Sequence, residues 1–214
     1  KLGEIDSLSK ILKPNLGIIT NIGEAHLGKL GSINKIAMAK SEIIKNITKK
    51  GTVILNRDCK FYGKLNKISK SHKLKVLSFG SNNRATITYK ITSLNTVQFK
   101  LKDKYFNLKF SKINLNNIKN ILICFLVLDF LKLNITRAKS VFENTKNIRG
   151  RGNIIKMSKR VMIIDDSYNS NPVSLKNSIF EFHNFKINKN KILVLGDMLE
   201  LGKFSKNKHI EIGR

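Results

Sequence analysis

Cysteine is scarce in this 214-residue sequence, which contains only Cys59 and Cys124. This pair has neither the spacing of a metal site nor the framework of a disulfide-stapled domain. The start of the chain does not read as a signal peptide. The most apolar run, residues 121–131, is too short to cross a bilayer and contains Asp129. The sequence therefore predicts a reduced, cytoplasmic compartment and no membrane insertion.

Acidic residues are also few, with 14 Asp and Glu against 41 Lys and Arg and a formal net charge of +27. Such a charge is typical of nucleic-acid-binding proteins. However, only seven of the basic residues are arginine, the lysines are spread through every segment, and the chain has 25 asparagines. Because AT-rich codons encode Lys, Asn and Ile, genome composition explains the charge as well as a polyanion partner does. Nonspecific polyanion binding is expected, and a basic nucleic-acid-binding module stays an alternative.

Apolar periodicity predicts an α/β fold with a mostly parallel sheet. Strand patterns at residues 16–20, 52–55 and 74–78 alternate with helical patterns at residues 1–13, 33–47 and 58–71. Between residues 85 and 110 the period becomes that of two or three antiparallel strands. Helices are then predicted over residues 114–131 and 136–145, the second capped by Thr136. The length allows one large domain or two modest ones.

A domain boundary is predicted near residues 148–153, where Arg149-Gly150-Arg151-Gly152 interrupts the pattern. Beyond it, strands are predicted at residues 161–164 and 191–195. One helix begins near Pro172 and a last helix near Ser205. Two βα units with polar residues at the carboxyl ends of their strands are typical of a Rossmann-like domain with a ligand crevice there.

The stretch from Leu16 to Ile47 carries the first candidate site. A buried strand is followed by a polar loop with Glu24 and His26, and then by a helix with Ser32 as its predicted N-cap. At ~100° per residue, Lys40 lies in the middle of the stripe that this helix should bury. The stripe comprises Ile33, Ile36, Ala37, Ile44 and Ile47.

Lys40 has two interpretations. Its stem can cover apolar surface while its amine stays in water, or the amine can be used chemically. Glu24 and His26 favour the second, because open α/β sheets bind ligands at the carboxyl ends of their strands. Burial lowers the pKa of a lysine, and the neutral amine reacts with carbon dioxide to give an anionic carbamate. The three side chains together permit a divalent-cation site without requiring one.

The segments 20–27, Gly31-Ser32 and 39–43 resemble the central domain of the Mur ligases. These ATP-dependent amide ligases build the peptide stem of bacterial peptidoglycan. The resemblance implies that His26 is a ligand of a second Mg²⁺ ion, and that Lys40 is carbamylated and helps to hold the same ion. Glu24 would serve this metal as well. The helical pattern and the resemblance thus select the same lysine.

Two later segments extend the resemblance: Asp165-Asp166-Ser167-Tyr168-Asn169-Ser170-Asn171-Pro172 and Leu195-Gly196-Asp197-Met198-Leu199-Glu200-Leu201-Gly202, with His209 downstream. They are similar to the Mur ligases that add D-alanyl-D-alanine to UDP-N-acetylmuramoyl-tripeptide. The resemblance implies that residues 1–148 are part of a P-loop-type central ATP-binding domain. It also implies that residues 149–214 are part of a Rossmann-like C-terminal domain.

The resemblance further implies roles for individual residues. Asp166 would hold the ATP ribose, Arg151 would contact a nucleotide phosphate, and Asn114 and Asn117 would reach the adenine. The substrate contacts would be Ser167, Tyr168, Asn169 and Asp197. The implied protein is a monomer that forms an acyl phosphate with ATP and Mg²⁺, which the amine of D-alanyl-D-alanine then attacks. Considered alone, the aspartate pair is a solvated strand end and Arg151 is a surface charge.

The sequence departs from the family pattern at three positions. Ser111 and Ile113 stand where the family usually has glycine and histidine, and Gly28 replaces an acidic residue. No segment resembles the G-x-x-G-K-[ST] loop that wraps ATP phosphates or the UDP-binding N-terminal domain. The chain is therefore predicted to be an internal piece that is inactive alone. Another Mur-type ligase or a folylpolyglutamate-type ligase stays an alternative, although the Asp-Asp-Ser-Tyr-Asn and Gly-Asp-Met blocks argue against both.

Overall fold

The computed structural model describes residues 1–24, 27–110, 113–143, 149–158, 161–185 and 190–213. The chain divides into two units. The first, here called the sheet unit, comprises Leu2–Ile22 and Ala37–Thr145. The second, here called the C-terminal unit, comprises Lys1, Gly23–Ile36 and Lys146–Arg214. The part of the predicted site loop that begins at Gly23 therefore belongs to the same unit as the C-terminal part of the chain.

The sheet unit contains a six-stranded sheet. Its strands, in order across the sheet, are β1 (Leu16–Ile19), β2 (Thr52–Asn56), β3 (Lys75–Gly80), β4 (Ile87–Ile91), β5 (Thr96–Leu101) and β6 (Lys104–Lys109). The first four strands pair in parallel, and β4, β5 and β6 pair antiparallel. The predicted change from a parallel to an antiparallel sheet is confirmed.

The parallel pairing of β3 with β4 involves only two residue pairs, Phe79 with Ile87 and Gly80 with Thr88. Because β4 begins beside the last residues of β3, the short segment 81–86 can join two parallel strands. No crossover helix of the usual length is required. The antiparallel hairpins then extend the sheet beyond this point.

The helices of the described residues alternate with these strands as the periodicity predicts. They are α1 (Glu4–Leu12), α2 (Leu27–Leu30), α3 (Ile33–Lys45), α4 (Tyr62–Ser71), α5 (Leu115–Phe130), α6 (Lys139–Glu143), α7 (Pro172–Asn184) and α8 (Ser205–Gly213). Short 3-10 turns precede α6 and α8. None of these helices is long and apolar enough to cross a membrane.

The core of the sheet unit lies between the sheet and α5. Every residue of β2 is buried, as expected for a parallel strand covered on both faces. The ring of Phe125 on α5 meets the rings of Phe99 and Phe142 edge-on, with centroid distances of 5.4 and 5.1 Å. Such edge-to-face pairs add about 1 kcal/mol each beyond the burial of their area.

The helix predicted within residues 1–13 is confirmed as α1, whereas the prediction of Thr136 as a cap is wrong. On α1, Leu8 and Ile11 are 69% and 83% exposed, whereas Ser9 is buried. The reason is that polar contacts hold the buried side of α1. The Nδ2 of Asn46, the residue that follows α3, donates a hydrogen bond to the hydroxyl of Ser9 at 2.9 Å. Thr136 does not cap the helix predicted after it, since the side chain of Asn134 accepts a 2.9 Å hydrogen bond from the Thr136 N–H.

In the C-terminal unit, β7 (Asn153–Lys156) and β8 (Met162–Asp165) form an antiparallel pair, and α7 follows β8. The start of α7 is fixed by a reciprocal capping box. The side chain of Asn171 accepts from the Ser174 N–H, and the hydroxyl of Ser174 accepts from the Asn171 N–H, both at 3.0 Å. Pro172 occupies the first turn, where its missing N–H costs nothing.

The strand predicted at residues 191–195 is absent from the described structure. Residues 190–198 have no assigned strand, and the side chains of Ile192 and Val194 are 81% and 89% exposed. A strand requires a neighbour with which to share hydrogen bonds, and no strand of the described residues pairs with residues 191–195. Of the two predicted βα units, only β8 with α7 is formed in the part of the chain that the structure describes.

Candidate functional site

Lys40 is held beside the carboxyl end of β1. Its Nζ donates a 2.8 Å hydrogen bond to the carbonyl oxygen of Asn21, which follows that strand by two residues. The side chain is partly buried, and this burial lowers the pKa of the amine, with a smaller opposing effect from the nearby Cys59. The predicted stripe around it is buried at Ile36, Ala37, Ile44 and Ile47 but not at Ile33, which is 38% exposed.

Glu24 forms an ion pair that the sequence did not predict. Its Oε1 lies 2.9 Å from the Nζ of Lys208 on α8, and Lys208 also contacts the carboxylate of Glu211 at 3.0 Å. Lys176 on α7 completes the network, 2.6 Å from Glu211. Hydrogen bonds donated to the carboxylates of Glu24 and Glu211 raise the pKa of Lys208, and hydrogen bonds from Lys176 and Lys208 lower the pKa of Glu211. Any cation bound by Glu24 must compete with this ammonium group.

The remaining predicted metal ligand, His26, lies outside the described residues, as does Ala25. Within the described part of the chain, no group of three His, Cys, Asp or Glu side chains is placed to hold a metal ion. Lys40 fits the predicted role, since burial favours the neutral amine from which a carbamate forms. Glu24 fits it only if Lys208 releases the carboxylate.

The loop before α3 contains the short helix α2, which was predicted as irregular loop and contacts the 3-10 turn before α8. The N–H of Gly28 donates to the carbonyl oxygen of Glu200 at 2.8 Å, and the ammonium of Lys29 lies 3.0 Å from the same residue's carboxylate. A Cβ at Gly28 would stand only 2.6 Å from the nitrogen of Gly202. The close approach of these backbones explains why glycine is tolerated, and needed, at position 28 of this chain.

Asp165 organises the turn after β8. Its Oδ1 accepts hydrogen bonds from the hydroxyl and the N–H of Ser167 at 2.6 and 3.2 Å, and its Oδ2 accepts from the Gly150 N–H at 3.1 Å. The Tyr168 N–H donates to the Gly150 carbonyl at 3.0 Å. Hydrogen bonds from Ser167 lower the pKa of Asp165. The polar turn predicted at this strand end is therefore a structured one.

This turn brings two predicted site residues together. The guanidinium carbon of Arg151 lies 4.3 Å from the ring centroid of Tyr168, within cation–π range. Beside them, the Oδ2 of Asp166 accepts a 2.5 Å hydrogen bond from the hydroxyl of Ser178 on α7. Asn169 accepts from the N–H of Ser170 at 2.8 Å. Asp166, Ser167, Tyr168 and Asn169 are all exposed.

Asn114 caps α5 in the sheet unit. Its Oδ1 accepts hydrogen bonds from the N–H groups of Asn116 and Asn117 at 2.9 and 3.1 Å. The side chain of Asn117 is on the exposed side of the first turn. Because Oδ1 serves the cap, an adenine contact by Asn114 falls to its Nδ2, which is a donor.

Asp197 is the last predicted site residue, and its side chain is 89% exposed. It precedes Met198, whose side chain is buried, and it lies near His209 on α8. Sequence reasoning assigned no role to Asp165, Ser178 or Lys208. The Asp-x-Ser spacing is a recognisable turn signal for Asp165. Nothing in the sequence connects Lys208 with a glutamate 184 positions away.

Comparison with known proteins gives two family matches. The Mur ligase middle domain matches residues 1–128, and the family described as Mur ligase, glutamate ligase domain matches residues 150–214. The UDP-N-acetylmuramoyl-tripeptide–D-alanyl-D-alanine ligase of Rickettsia prowazekii is 33% identical over 215 residues, which cover 98% of this chain and 47% of that protein.

Solved structures agree with these matches. MurF from Acinetobacter baumannii superposes with a TM-score of 0.89 at 28% identity, over 100% of this chain and 46% of that one. MurF ligase from Thermotoga maritima in complex with ADP superposes with a TM-score of 0.83 at 28% identity, over 100% and 49%. The chain thus spans about half the length of the relatives it matches. Since the middle-domain match alone covers more than half of its residues, the chain belongs to the Mur ligase family.

Proposed function

We propose that this chain supplies middle and C-terminal parts of an ATP-dependent ligase that adds D-alanyl-D-alanine to UDP-N-acetylmuramoyl-tripeptide in cytoplasmic peptidoglycan precursor synthesis. Residues 1–148 would belong to the middle domain and residues 149–214 to the C-terminal domain. The relative from Rickettsia prowazekii carries the name of this activity and is similar over nearly the whole chain. The structural relatives solved as MurF support the same assignment.

The observation that carries the proposal is the environment of Lys40. An ordinary surface lysine keeps its amine in water, whereas this amine is partly buried and donates to a backbone carbonyl at the carboxyl end of β1. Burial lowers its pKa and so raises the fraction of neutral amine at a given pH. A neutral amine can bond to carbon dioxide with loss of one proton, which leaves an anionic carbamate in place of a cation.

Mg²⁺ would be held by His26, by the carbamate of Lys40 and by Glu24. When bound, the ion would neutralise phosphate charge as ATP phosphorylates the tripeptide carboxylate. Two of these ligands have described surroundings. Burial of the Lys40 amine favours the neutral form from which the carbamate is made, and the Glu24 carboxylate can bind the ion once its ion pair with Lys208 is broken. The role of the protein in such a reaction is to position charges before the reaction begins.

The nucleotide would be contacted by Arg151 and Asp166 in the C-terminal unit and by Asn114 and Asn117 in the sheet unit. The ring of Tyr168 lies 4.3 Å from the guanidinium carbon of Arg151 and would help to orientate this group, whose N–H donors would bind the phosphate. Asp166 is orientated by the hydroxyl of Ser178, which leaves its Oδ1 to accept from a ribose hydroxyl. The ADP complex of a structural relative supports a nucleotide in this family.

The substrates would be contacted by Ser167, Tyr168, Asn169 and Asp197. Ser167 and Asn169 already make turn hydrogen bonds that set the direction of the exposed loop. Asp197 offers an exposed carboxylate, which suits the amino group of D-alanyl-D-alanine. Acting as a monomer, the protein would then join this amine to the activated carboxylate with release of phosphate.

The test is phosphate release from ATP by the whole protein with both substrates present. The proposal predicts release only when UDP-N-acetylmuramoyl-tripeptide and D-alanyl-D-alanine are supplied together. It also predicts loss of at least about a hundredfold in kcat for Lys40→Ala, since one preorganised charge contributes that much, and no loss for the exposed Lys35→Arg on the same helix. Equal rates with glutamate or a diamino acid as the amine would instead favour another ligase of the family.

The nucleic-acid-binding alternative is not favoured by the family match. Its test is the affinity of the chain for a short RNA, measured by fluorescence anisotropy as salt is raised. Nonspecific contacts with a protein of charge +27 weaken steeply with salt. Submicromolar affinity that survives at physiological salt would contradict the proposed function as the main role of the chain.

A further inference from the structure

His209 makes three hydrogen-bond contacts, and the two with backbone groups decide its tautomer; the third joins its Nδ1 to the hydroxyl of Ser205 at 3.3 Å. Its Nδ1 lies 2.8 Å from the carbonyl oxygen of Ser205, one turn earlier on α8. Its Nε2 lies 3.0 Å from the backbone nitrogen of Met198. A carbonyl oxygen only accepts and a backbone N–H only donates, so the hydrogen must be on Nδ1 and the lone pair on Nε2. The neutral Nδ1–H tautomer is therefore the form that satisfies both contacts.

This imidazole faces Asp197 as well as Met198. The Oδ1 of Asp197 is 3.6 Å from Nε2, but Nε2 carries no hydrogen in the required tautomer and cannot donate to it. The described residues supply no lysine or arginine partner for Asp197. Its carboxylate is thus an exposed negative charge beside a base whose lone pair is already occupied.

We propose that His209 is a positioning residue that anchors the Gly196–Met198 loop and leaves the Asp197 carboxylate available for a ligand bearing an amino group. This role rests on the proposed function, in which the amine of D-alanyl-D-alanine is that ligand. The side chain of Met198, which is 2% exposed, anchors the end of the loop by burial, and the hydrogen bond to His209 holds its backbone.

The charges near α8 leave this arrangement undisturbed. Glu24 and Lys176, which approach α8 from the α2 loop and from α7, pair with Lys208 and Glu211 and not with His209. Asp197 is the ionisable group that faces the imidazole. An imidazolium would donate from Nε2 to Asp197, would give up the Met198 N–H and would compete with a cationic ligand for the same carboxylate.

The direct test is the tautomer of His209 by ¹⁵N–¹H NMR of the imidazole rings in the labelled 214-residue chain at neutral pH. The chain has four histidines, and His209→Gln identifies the signals of interest by their loss. The proposal expects a protonated Nδ1 and an unprotonated Nε2. A protonated Nε2 in the folded chain would overturn it.

Amide hydrogen exchange of Met198 gives a second readout. In His209→Phe the acceptor is lost, and a typical hydrogen-bond free energy corresponds to exchange about fivefold faster at Met198. In His209→Gln the side-chain oxygen can take the place of Nε2, and exchange should stay near that of the unchanged chain. Equal exchange in all three proteins would contradict the proposed anchor, as would equal acceleration in both variants.

Steady-state kinetics of the whole protein distinguish this role from the proposed function. We expect His209→Phe to raise the KM for the amine substrate about fivefold with a smaller change in kcat, and His209→Gln to restore it. An unchanged KM in His209→Phe would refute the positioning role. If the unchanged protein forms no amide bond, the proposed function fails, and the tautomer and exchange measurements still decide whether His209 anchors the loop.

Discussion

The guanidinium carbon of Arg151 stands 4.3 Å from the centroid of the Tyr168 ring, although the two residues are separated by β7 and β8. Sequence resemblance assigned Arg151 to a nucleotide phosphate and Tyr168 to the substrate. Whatever their ligands, the contact makes Tyr168 a platform for the arginine. The hydrogen bond from the Tyr168 N–H to the Gly150 carbonyl sets the register of this contact.

This contact predicts a difference between two substitutions at Tyr168. Tyr168→Leu removes the aromatic face, and an exposed cation–π contact of about 0.5–1 kcal/mol corresponds to ATP affinity roughly two- to fivefold weaker in the whole protein. Tyr168→Phe keeps the face and should change affinity little. Calorimetric titration measures both. Equal weakening in the two variants would show that the hydroxyl, not the platform, matters.

We expect any side chain at position 28 to destabilise the protein by a steric clash. In Gly28→Ala, the new Cβ would lie 2.6 Å from the Gly202 nitrogen and 2.7 Å from the Glu200 carbonyl oxygen, both backbone atoms. Overpacking of this kind costs about 1–3 kcal/mol of unfolding free energy. Gly63→Ala on α4 is the matched control, because nothing lies within 4 Å of its Cβ position. Urea unfolding measures both; a neutral Gly28→Ala would show that the α2 contact is not rigid.

Two substitutions of Asn114 are expected to affect stability and nucleotide binding differently. Asn114→Ala removes the cap of α5 and should lower the unfolding free energy by about 1 kcal/mol. Asn114→Asp keeps an acceptor for the cap but lacks Nδ2, so it should retain stability and lose affinity for ATP. Asn116→Ala controls for a change at a neighbouring exposed asparagine that has no proposed contact with the nucleotide. Normal ATP affinity in Asn114→Asp would argue against an adenine contact through Nδ2.

We expect Asp165 to account for part of the unfolding free energy that the protein loses in acid. Hydrogen bonds from Ser167 lower its pKa in the folded chain below that of the unfolded chain. Its contribution is therefore complete above the unfolded pKa of about 3.9 and disappears as the pH falls through the folded pKa. Asp165→Asn should flatten the dependence of unfolding free energy on pH between about 5 and 2. The exposed Asp103→Asn is the control, and an equal slope in the two variants would contradict this role.

The parts of the structure fixed by local pattern were predictable. The 3.6-residue period placed Lys40 in the buried stripe of α3, and short apolar runs marked β1 and β2. Ser32 was also correctly identified as a cap, since its hydroxyl accepts from the Lys35 N–H at 3.2 Å. These features depend on residues within one or two turns of each other.

Features that depend on distant partners were not predictable. The apolar residues 191–195 read as a strand, but whether a strand forms depends on a neighbour that the local pattern does not specify. The ion pair of Glu24 with Lys208 joins positions 184 apart, and Asp165 acts through Gly150, which lies beyond a hairpin. His26 lies outside the described residues, so its assignment as a metal ligand stays a prediction.

The central claim is that the amine of Lys40 is the group that becomes anionic. The most direct measurement is ¹³C NMR of the 214-residue chain in ¹³C-bicarbonate at neutral pH, beside Lys40→Arg and Lys35→Arg. A carbamate on the terminal amine would occur in all three proteins and cancels in the comparison. We predict one carbamate signal that is present in the chain and in Lys35→Arg and absent from Lys40→Arg. The same carbamate signals in all three proteins, or none in any, would contradict the account.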